Sequence, residues 1–251
     1  MPAREYDCKV TSIVWITPTV FSLRFEPSRP FTYYPGQFLS VMLPNEDRGV
    51  RTVRRIYSFA SPGKKDGYEL CVQKVPGGQG TAYLSSLKPG DSLRISAPFG
   101  DFFMETKSHR NACLIATSTG IAPFRAMVLS EKFRKDAPAA TMLLLGVRNE
   151  SEILFPGLFE KHGVEVVHAV SQAVPGFDGF KGRVTDYLKA LPESWPWQET
   201  DFYICGNGHM IEEVRHFLLK VRGVHPHAVR QEAYFSTHAP MASVEADKKA
   251  A

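Results

Sequence analysis

The sequence predicts two domains in series: an antiparallel β-barrel over residues 1–106, then an α/β unit built on a parallel sheet over 107–238. Three observations predict this. The first part consists of short, partly alternating apolar runs broken by Pro- and Gly-rich turns. The second alternates strand-like runs with helical periodicity. The change between the two falls sharply near residue 110. A length of 251 residues suits two domains, and 43% hydrophobic residues can fill two cores. Charged residues at 22% match an ordinary globular chain. Residues 239–251 are rich in Ala, Lys and acidic residues and read as a flexible tail.

In the barrel half, strands are expected at 9–16, 20–25, 36–43, 55–60, 68–75 and 92–97. Thr17-Pro18, Ser61-Pro62-Gly63, Pro76-Gly77-Gly78 and Lys88-Pro89-Gly90-Asp91 separate several of them. Only 81–87 looks like a short helix there. The second half opens with a buried-strand run at 111–117 and a small-residue turn at 118–122. A helix follows from 123 to 135, with Pro123 in its first turn, where a missing N–H costs nothing. Strands at 141–147, 164–170 and 202–205 come next, with a short helix at 154–162 and another at 184–191. Residues 209–221 form an amphipathic helix, because Met210, Ile211, Val214, Phe217, Leu218 and Val221 recur at helical spacing. A last strand at 228–235 closes the sheet.

Composition excludes several classes. The longest apolar runs are strand-sized and too short to span a bilayer, so no transmembrane segment is expected. No charged-then-apolar leader opens the chain, which points to a cytoplasmic protein. Cys8, Cys71, Cys113 and Cys205 are scattered, with no CxxC cluster, so no metal site is expected. A net charge of +4 is too mild to mark a nucleic-acid binder. Its distribution is informative, however. Arg48, Arg51, Arg54 and Arg55 fall together, beside the strongest motif.

That motif is Arg55-Ile56-Tyr57-Ser58. Strand alternation puts Arg55 and Tyr57 on one face and Ile56 and Ser58 on the other. A cofactor with an anionic diphosphate and a flat ring could use all three polar groups. Residue types alone favour a half-exposed edge strand with a surface arginine. Gly77-Gly78-Gln79-Gly80-Thr81 then opens a helical turn whose backbone N–H groups can approach an anion. Further on, Thr117-Ser118-Thr119-Gly120-Ile121-Ala122-Pro123 is a tight strand-to-helix turn, the place where α/β sheets hold nucleotide phosphates. Cys205-Gly206-Asn207-Gly208-His209-Met210 ends a strand, and Glu232-Ala233-Tyr234-Phe235 ends the last one. His225-Pro226-His227 and Ser85-Ser86-Leu87-Lys88 carry no companion residues for metal binding or acylation.

Taken together, these five motifs resemble the ferredoxin–NADP reductase superfamily over roughly residues 5–235. The resemblance implies a Greek-key barrel for FAD and a Rossmann-like sheet for NAD(P). It implies that Arg55 pairs with the FAD pyrophosphate, Tyr57 stacks on the isoalloxazine and Ser58 bonds N5. Gly78, Gly80 and Thr81 then form the other half of the pyrophosphate clamp. Thr119, Gly120 and Pro123 become the dinucleotide loop, with Ser118 where the family pattern has glycine. Cys205, Gly206 and Met210 would order the nicotinamide, and Glu232 would move a proton towards Ser58. Tyr234 or Phe235 would cover the flavin face. Ser171 is followed by Gln172 rather than the arginine of NADPH-specific relatives. Lys181 and Arg183 could replace that arginine, so NADPH and NADH both remain candidate donors. The resemblance implies a reductase that passes electrons to a separate acidic carrier, ferredoxin or flavodoxin. The alternatives are the reductase component of a multicomponent oxygenase and a non-catalytic flavin-binding subunit. Oligomeric state is not legible.

Overall fold

A computed structural model describes residues 3–44, 53–105 and 109–234. The expected tail at 239–251, Phe235, Arg48 and Arg51 lie outside the described residues.

The first sheet contains β1 (Arg4–Trp15), β2 (Val20–Pro27), β3 (Phe38–Met42), β4 (Arg54–Ser58), β5 (Tyr68–Gln73) and β6 (Ser92–Phe99). Its order is β4-β3-β6-β1-β2-β5, with every neighbour antiparallel. The two edges meet through a bridge between Phe59 and Leu70, and Ala60 N donates to Glu69 O at 2.8 Å. That closes a Greek-key barrel around Phe21, Leu23, Leu39, Val41, Leu70, Leu93 and Ile95, all fully buried. Each such side chain contributes about 1.5–3 kcal/mol of burial. The helix α1 (Gln79–Ser86) follows the glycine loop and drives Leu84 into the same core.

The second sheet contains β7 (Asn111–Thr117), β8 (Thr141–Val147), β9 (Glu165–Val170), β10 (Phe180–Lys181), β11 (Thr200–Asn207) and β12 (Val229–Tyr234). Its order is β10-β9-β8-β7-β11-β12 and all its pairs are parallel. The chain winds outward from β7 in one direction and then returns to its other side with β11. This reversal opens a crevice at the carboxyl ends of β7 and β11, the usual place for a nucleotide. The sheet is packed on both faces, so β8 is buried along its whole length and reads as a continuous apolar run.

Two expected helices differ. The helix expected at 123–135 is two helices, α2 (Ala122–Val128) and α3 (Glu131–Asp136). Ser130 separates them because its Oγ accepts from Phe133 N at 3.1 Å, capping a new helix start. The segment 154–162 forms turns and a short 3-10 stretch at Glu160–His162. Phe155 at φ 54°, Gly157 at φ 73° and Gly163 at φ 76° interrupt any α-helix. The helix α4 (Val184–Ala190) lies where expected, and α5 (Gly208–His216) runs on as a π-helical turn, Phe217–Val221. Among the described residues no helix is long and apolar enough to cross a membrane.

Candidate functional site

The flavin-side residues converge at one end of the barrel. A Cβ added at Gly80 would lie 2.7 Å from Arg55 Cγ and 3.1 Å from Tyr57 Oη. Arg55 and Tyr57 therefore share a face, as alternation predicts, and α1 begins directly against them. Only glycine permits that approach. Gly78 is the N-cap of α1 and no side chain caps the helix, which leaves the first-turn N–H groups beside the stem of Arg55. Thr81 Oγ1 is already engaged, accepting from Val75 N at 3.1 Å and donating to Gly78 O at 3.1 Å. Its hydroxyl folds the loop. This donor set of guanidinium, helix N-terminus and aromatic ring fits an FAD pyrophosphate and ring. Burial pushes the Tyr57 phenol up to about 12 against the pull of Arg55, so it stays neutral. Ser58, 3% exposed, pairs with Phe38 across β3 and β4.

On the nucleotide side, the turn after β7 is pressed against the end of β11. A Cβ at Gly120 would collide with the Cys205 carbonyl oxygen, and one at Gly206 (φ +138°) with Thr117 Oγ1. Thr117 Oγ1 also accepts from Asn207 N at 3.0 Å, locking the two strand ends together. Ser118 has φ +48°, a left-handed conformation costing a non-glycine residue about 1 kcal/mol. That explains the glycine of the family pattern. Here the serine hydroxyl recovers part of the cost by donating to Gln73 Oε1 at 3.0 Å, across the domain boundary.

A cavity of about 570 Å³ opens at this crevice. Of the predicted residues it brings together Ser171, Arg183 and Met210, alongside Thr117 and Ser118. Gly120 and Pro123 are buried beneath it, and Thr119 is half-buried in the same turn. Lys181 is exposed on the edge strand β10 and does not line the cavity. Gln73, Arg148, Glu152 and Glu213 also line it and were missed. They come from three separate segments, and nothing in their residue types marks them. Another cavity, about 540 Å³ and lined by Tyr34, Phe103, Met127 and Phe133, is apolar and contains no predicted site residue.

The sheet register joins the two sides. Cys205 pairs with Ala116 on β7 and with Glu232 on β12, so the fully buried cysteine and the glutamate are direct neighbours. Glu232 Oε2 reaches within 3.6 Å of where a Gly100 Cβ would lie, at a corner also occupied by the Phe38 ring. Phe38 is the backbone partner of Ser58. Ser58 and Cys205 are thus tied, through their strand partners Phe38 and Glu232, to one seam between the domains. Burial, reinforced by Asp101, pushes the Glu232 carboxyl up to about 7. The backbone of Tyr234 pairs with Asn207, placing it one strand from the nucleotide turn. All four cysteines are buried and free of disulfides. Among the described residues no three His, Cys, Asp or Glu side chains gather as metal ligands.

Residues 7–104 match the family signature described as an oxidoreductase FAD-binding domain, and 114–216 match an oxidoreductase NAD-binding domain. The chain is 32% identical to the phenol 2-monooxygenase reductase component of a Pseudomonas species, over 84% of its own length and 60% of that protein's. It is 29% identical to ferredoxin–NADP reductase B of Sorangium cellulosum, covering 92% of this chain and 98% of that one. In solved structures it resembles the ferredoxin reductase in carbazole 1,9a-dioxygenase, with TM-score 0.81 and 22% identity over 94% of this chain and 70% of that one. It also resembles a ferredoxin–NADP+ reductase from Neisseria gonorrhoeae with bound FAD and NADP. There the TM-score is 0.78 at 21% identity, covering 93% and 99% of the two chains. At such identities the structural likeness is one of fold.

The Gly120–Cys205 contact yields a specific expectation. Gly120→Ala forces the turn off β11 and should raise the KM for NAD(P)H by about tenfold or more, since small misplacements are costly. Flavin content on purification should not change. Equal loss of flavin and nucleotide binding would show instead that the turn is a general structural element.

Proposed function

Because the chain belongs to the ferredoxin–NADP reductase superfamily, we propose that it is an FAD-dependent reductase that takes hydride from NAD(P)H and passes electrons to a separate acceptor. The observation that carries this reading is the single seam to which Ser58, Cys205 and Glu232 are tied. FAD, when bound, accepts a hydride and gives up electrons one at a time, the conversion such a reductase needs.

The chain's own residues hold and orient. Arg55 and the α1 N-terminus at Gly78, Gly80 and Thr81 neutralise the pyrophosphate. Tyr57 would supply a stacking face and Ser58 a hydrogen bond at N5, with Tyr234 the candidate to cover the ring. Thr119, Gly120 and Pro123 shape the dinucleotide turn. Cys205, Gly206 and Met210 bound the nicotinamide position. Ser171, Lys181 and Arg183 are the candidates for the far end of the nucleotide. There Arg148 and Arg183 are balanced by Glu152 and Glu213 in the cavity wall, which supports acceptance of both NADPH and NADH. Purified protein should be yellow and should bleach anaerobically on adding NAD(P)H without any partner. Colour without bleaching would favour a non-catalytic flavin-binding subunit.

Glu232, in this reading, would accept, by way of the Ser58 hydroxyl, the proton that a bound flavin has to release on reoxidation. The ionised form does this work, so turnover towards an acceptor should rise with pH through about 7. Glu232→Gln should flatten that rise, and an unchanged profile would remove Glu232 from the proton path. Stability carries the opposite sign. A folded value raised above the ordinary 4.5 gives stability that is complete below 4.5 and lost as pH rises through about 7. Glu232→Gln should therefore gain stability at pH 8, on the order of 1 kcal/mol because the carboxyl is partly solvated, and none at pH 4.

The partner we propose is an acidic electron carrier such as ferredoxin or flavodoxin, drawn to the arginines around β4. Arg54 is partly neutralised by Glu5 at 3.1 Å, and Arg94 likewise by Glu5 and Asp7. Carrier reduction should slow steeply as salt is raised from ~0.05 to ~0.5 M, and a salt-independent rate would contradict the steering. A second reading, the reductase component of an oxygenase, is supported by the name of the Pseudomonas relative. Acceptor trials with carriers and oxygenase components separate the two.

A further inference from the structure

Among the described residues Glu69 is the most buried charged side chain, and it sits where Arg125 of α2 meets the barrel. Arg125 Nη1 donates to the Ala60 carbonyl at 2.6 Å and to Glu69 Oε2 at 3.2 Å. Glu69, 4% exposed, is already held on the barrel side by Ser22 Oγ at 2.6 Å and Arg24 Nη2 at 2.9 Å. The Arg125 guanidinium lies 4.8 Å from the Phe155 ring centroid, which pins it from the nucleotide domain. Its Nε is buried without a hydrogen-bond partner, so the side chain accepts a cost to keep this pose.

We propose that Arg125 is a positioning residue for hydride transfer, setting the dinucleotide turn against the flavin strand. The inference rests on the reading under Proposed function and adds the element that aligns its two halves. Ala60 lies two residues beyond Ser58, and Arg125 two residues beyond Pro123. One guanidinium therefore spans from the element that carries the hydride acceptor to the element that carries the donor. Ala60 and Glu69 are themselves joined by the bond that closes the barrel, so the anchor on that side is rigid. Adhesion has other sources. A Cβ at Gly36 would lie 2.8 Å from Met127 Cε and collide with the Phe102 carbonyl, so apolar packing already presses the domains together. Apolar contact is non-directional, whereas a buried, charge-assisted bond fixes an angle. Alignment, in which an error near 1 Å costs ~100-fold, is what the arginine adds.

Arg125→Met keeps the stem under Phe155 and leaves Glu69 bonded to Ser22 and Arg24. Arg110→Met is the control, because the Arg110 bonds to Asp201, Gln198 and Thr200 lie within the nucleotide domain. Two readouts are needed. In flavin-free protein, amide hydrogen exchange should lose protection in Arg125→Met at 58–69 and 118–128 together, and not in Arg110→Met. In the holoenzyme, the limiting rate of anaerobic flavin bleaching at saturating NAD(P)H should fall by ~10- to 100-fold in Arg125→Met, with the nucleotide Kd changed less than about threefold. Arg125→Lys, which keeps a cation facing Glu69, should recover part of that rate. A limiting rate in Arg125→Met equal to wild type, or lowered only as far as in Arg110→Met, overturns the proposal, as does unchanged exchange at both segments. Absence of bleaching in the wild type would count against the proposed function instead, and the flavin-free exchange would still decide whether Arg125 couples the domains.

Discussion

A carboxylate buried between two domains must be paired, and Glu69 is paired from both sides at once. The barrel supplies Ser22 and Arg24, and the nucleotide domain supplies Arg125. Losing all of these partners would strand a charge away from water, at a cost of several kcal/mol, whereas losing Arg125 alone leaves the Ser22 and Arg24 bonds in place. In the proposal above, this set fixes the angle at which apolar packing joins the domains, and with it the seam on which Ser58, Cys205 and Glu232 lie. Only the domains' fixed juxtaposition can lay one ligand over the other.

Glycines at the seam serve the same end by a different means. Gly80 lets α1 start against Arg55 and Tyr57, and Gly120 lets the dinucleotide turn lie on the Cys205 backbone. At both points the backbone comes closer than any side chain would allow. Between them Glu232 is partly desolvated and sits near neutrality, poised to lose or hold a proton at working pH. The geometry is rigid while the protonation is adjustable. A reductase that must align a hydride and then dispose of a proton needs both.

Much of this was legible in the sequence, and the exceptions have physical reasons. Strand runs and the 110-residue change predicted both sheets because alternation and burial are local. The helix at 123–135 looked continuous because helical spacing carries on across Ser130, whose cap is visible only as one more serine. Residues 154–162 were expected to be helical from their apolar content, but Phe155, Gly157 and Gly163 adopt positive φ. The two-residue β10 has no periodicity to read at all. In the site, contiguous motifs such as Arg55–Ser58 and Thr117–Pro123 stood out. Gln73, Arg148 and Glu152 did not, because the cavity is assembled from strand ends far apart in the chain. Arg125 was equally silent, a single arginine on a helix until its Glu69 partner is known.

The central claim is that the seam delivers hydride directly from nicotinamide to flavin. Rapid-mixing reduction with NAD(P)H deuterated on one or the other face of C4 tests it most directly. A fixed seam predicts a primary isotope effect, ~2-fold or more, from one face and none from the other. Equal transfer from both faces, or bleaching with no isotope effect from either, would contradict the account.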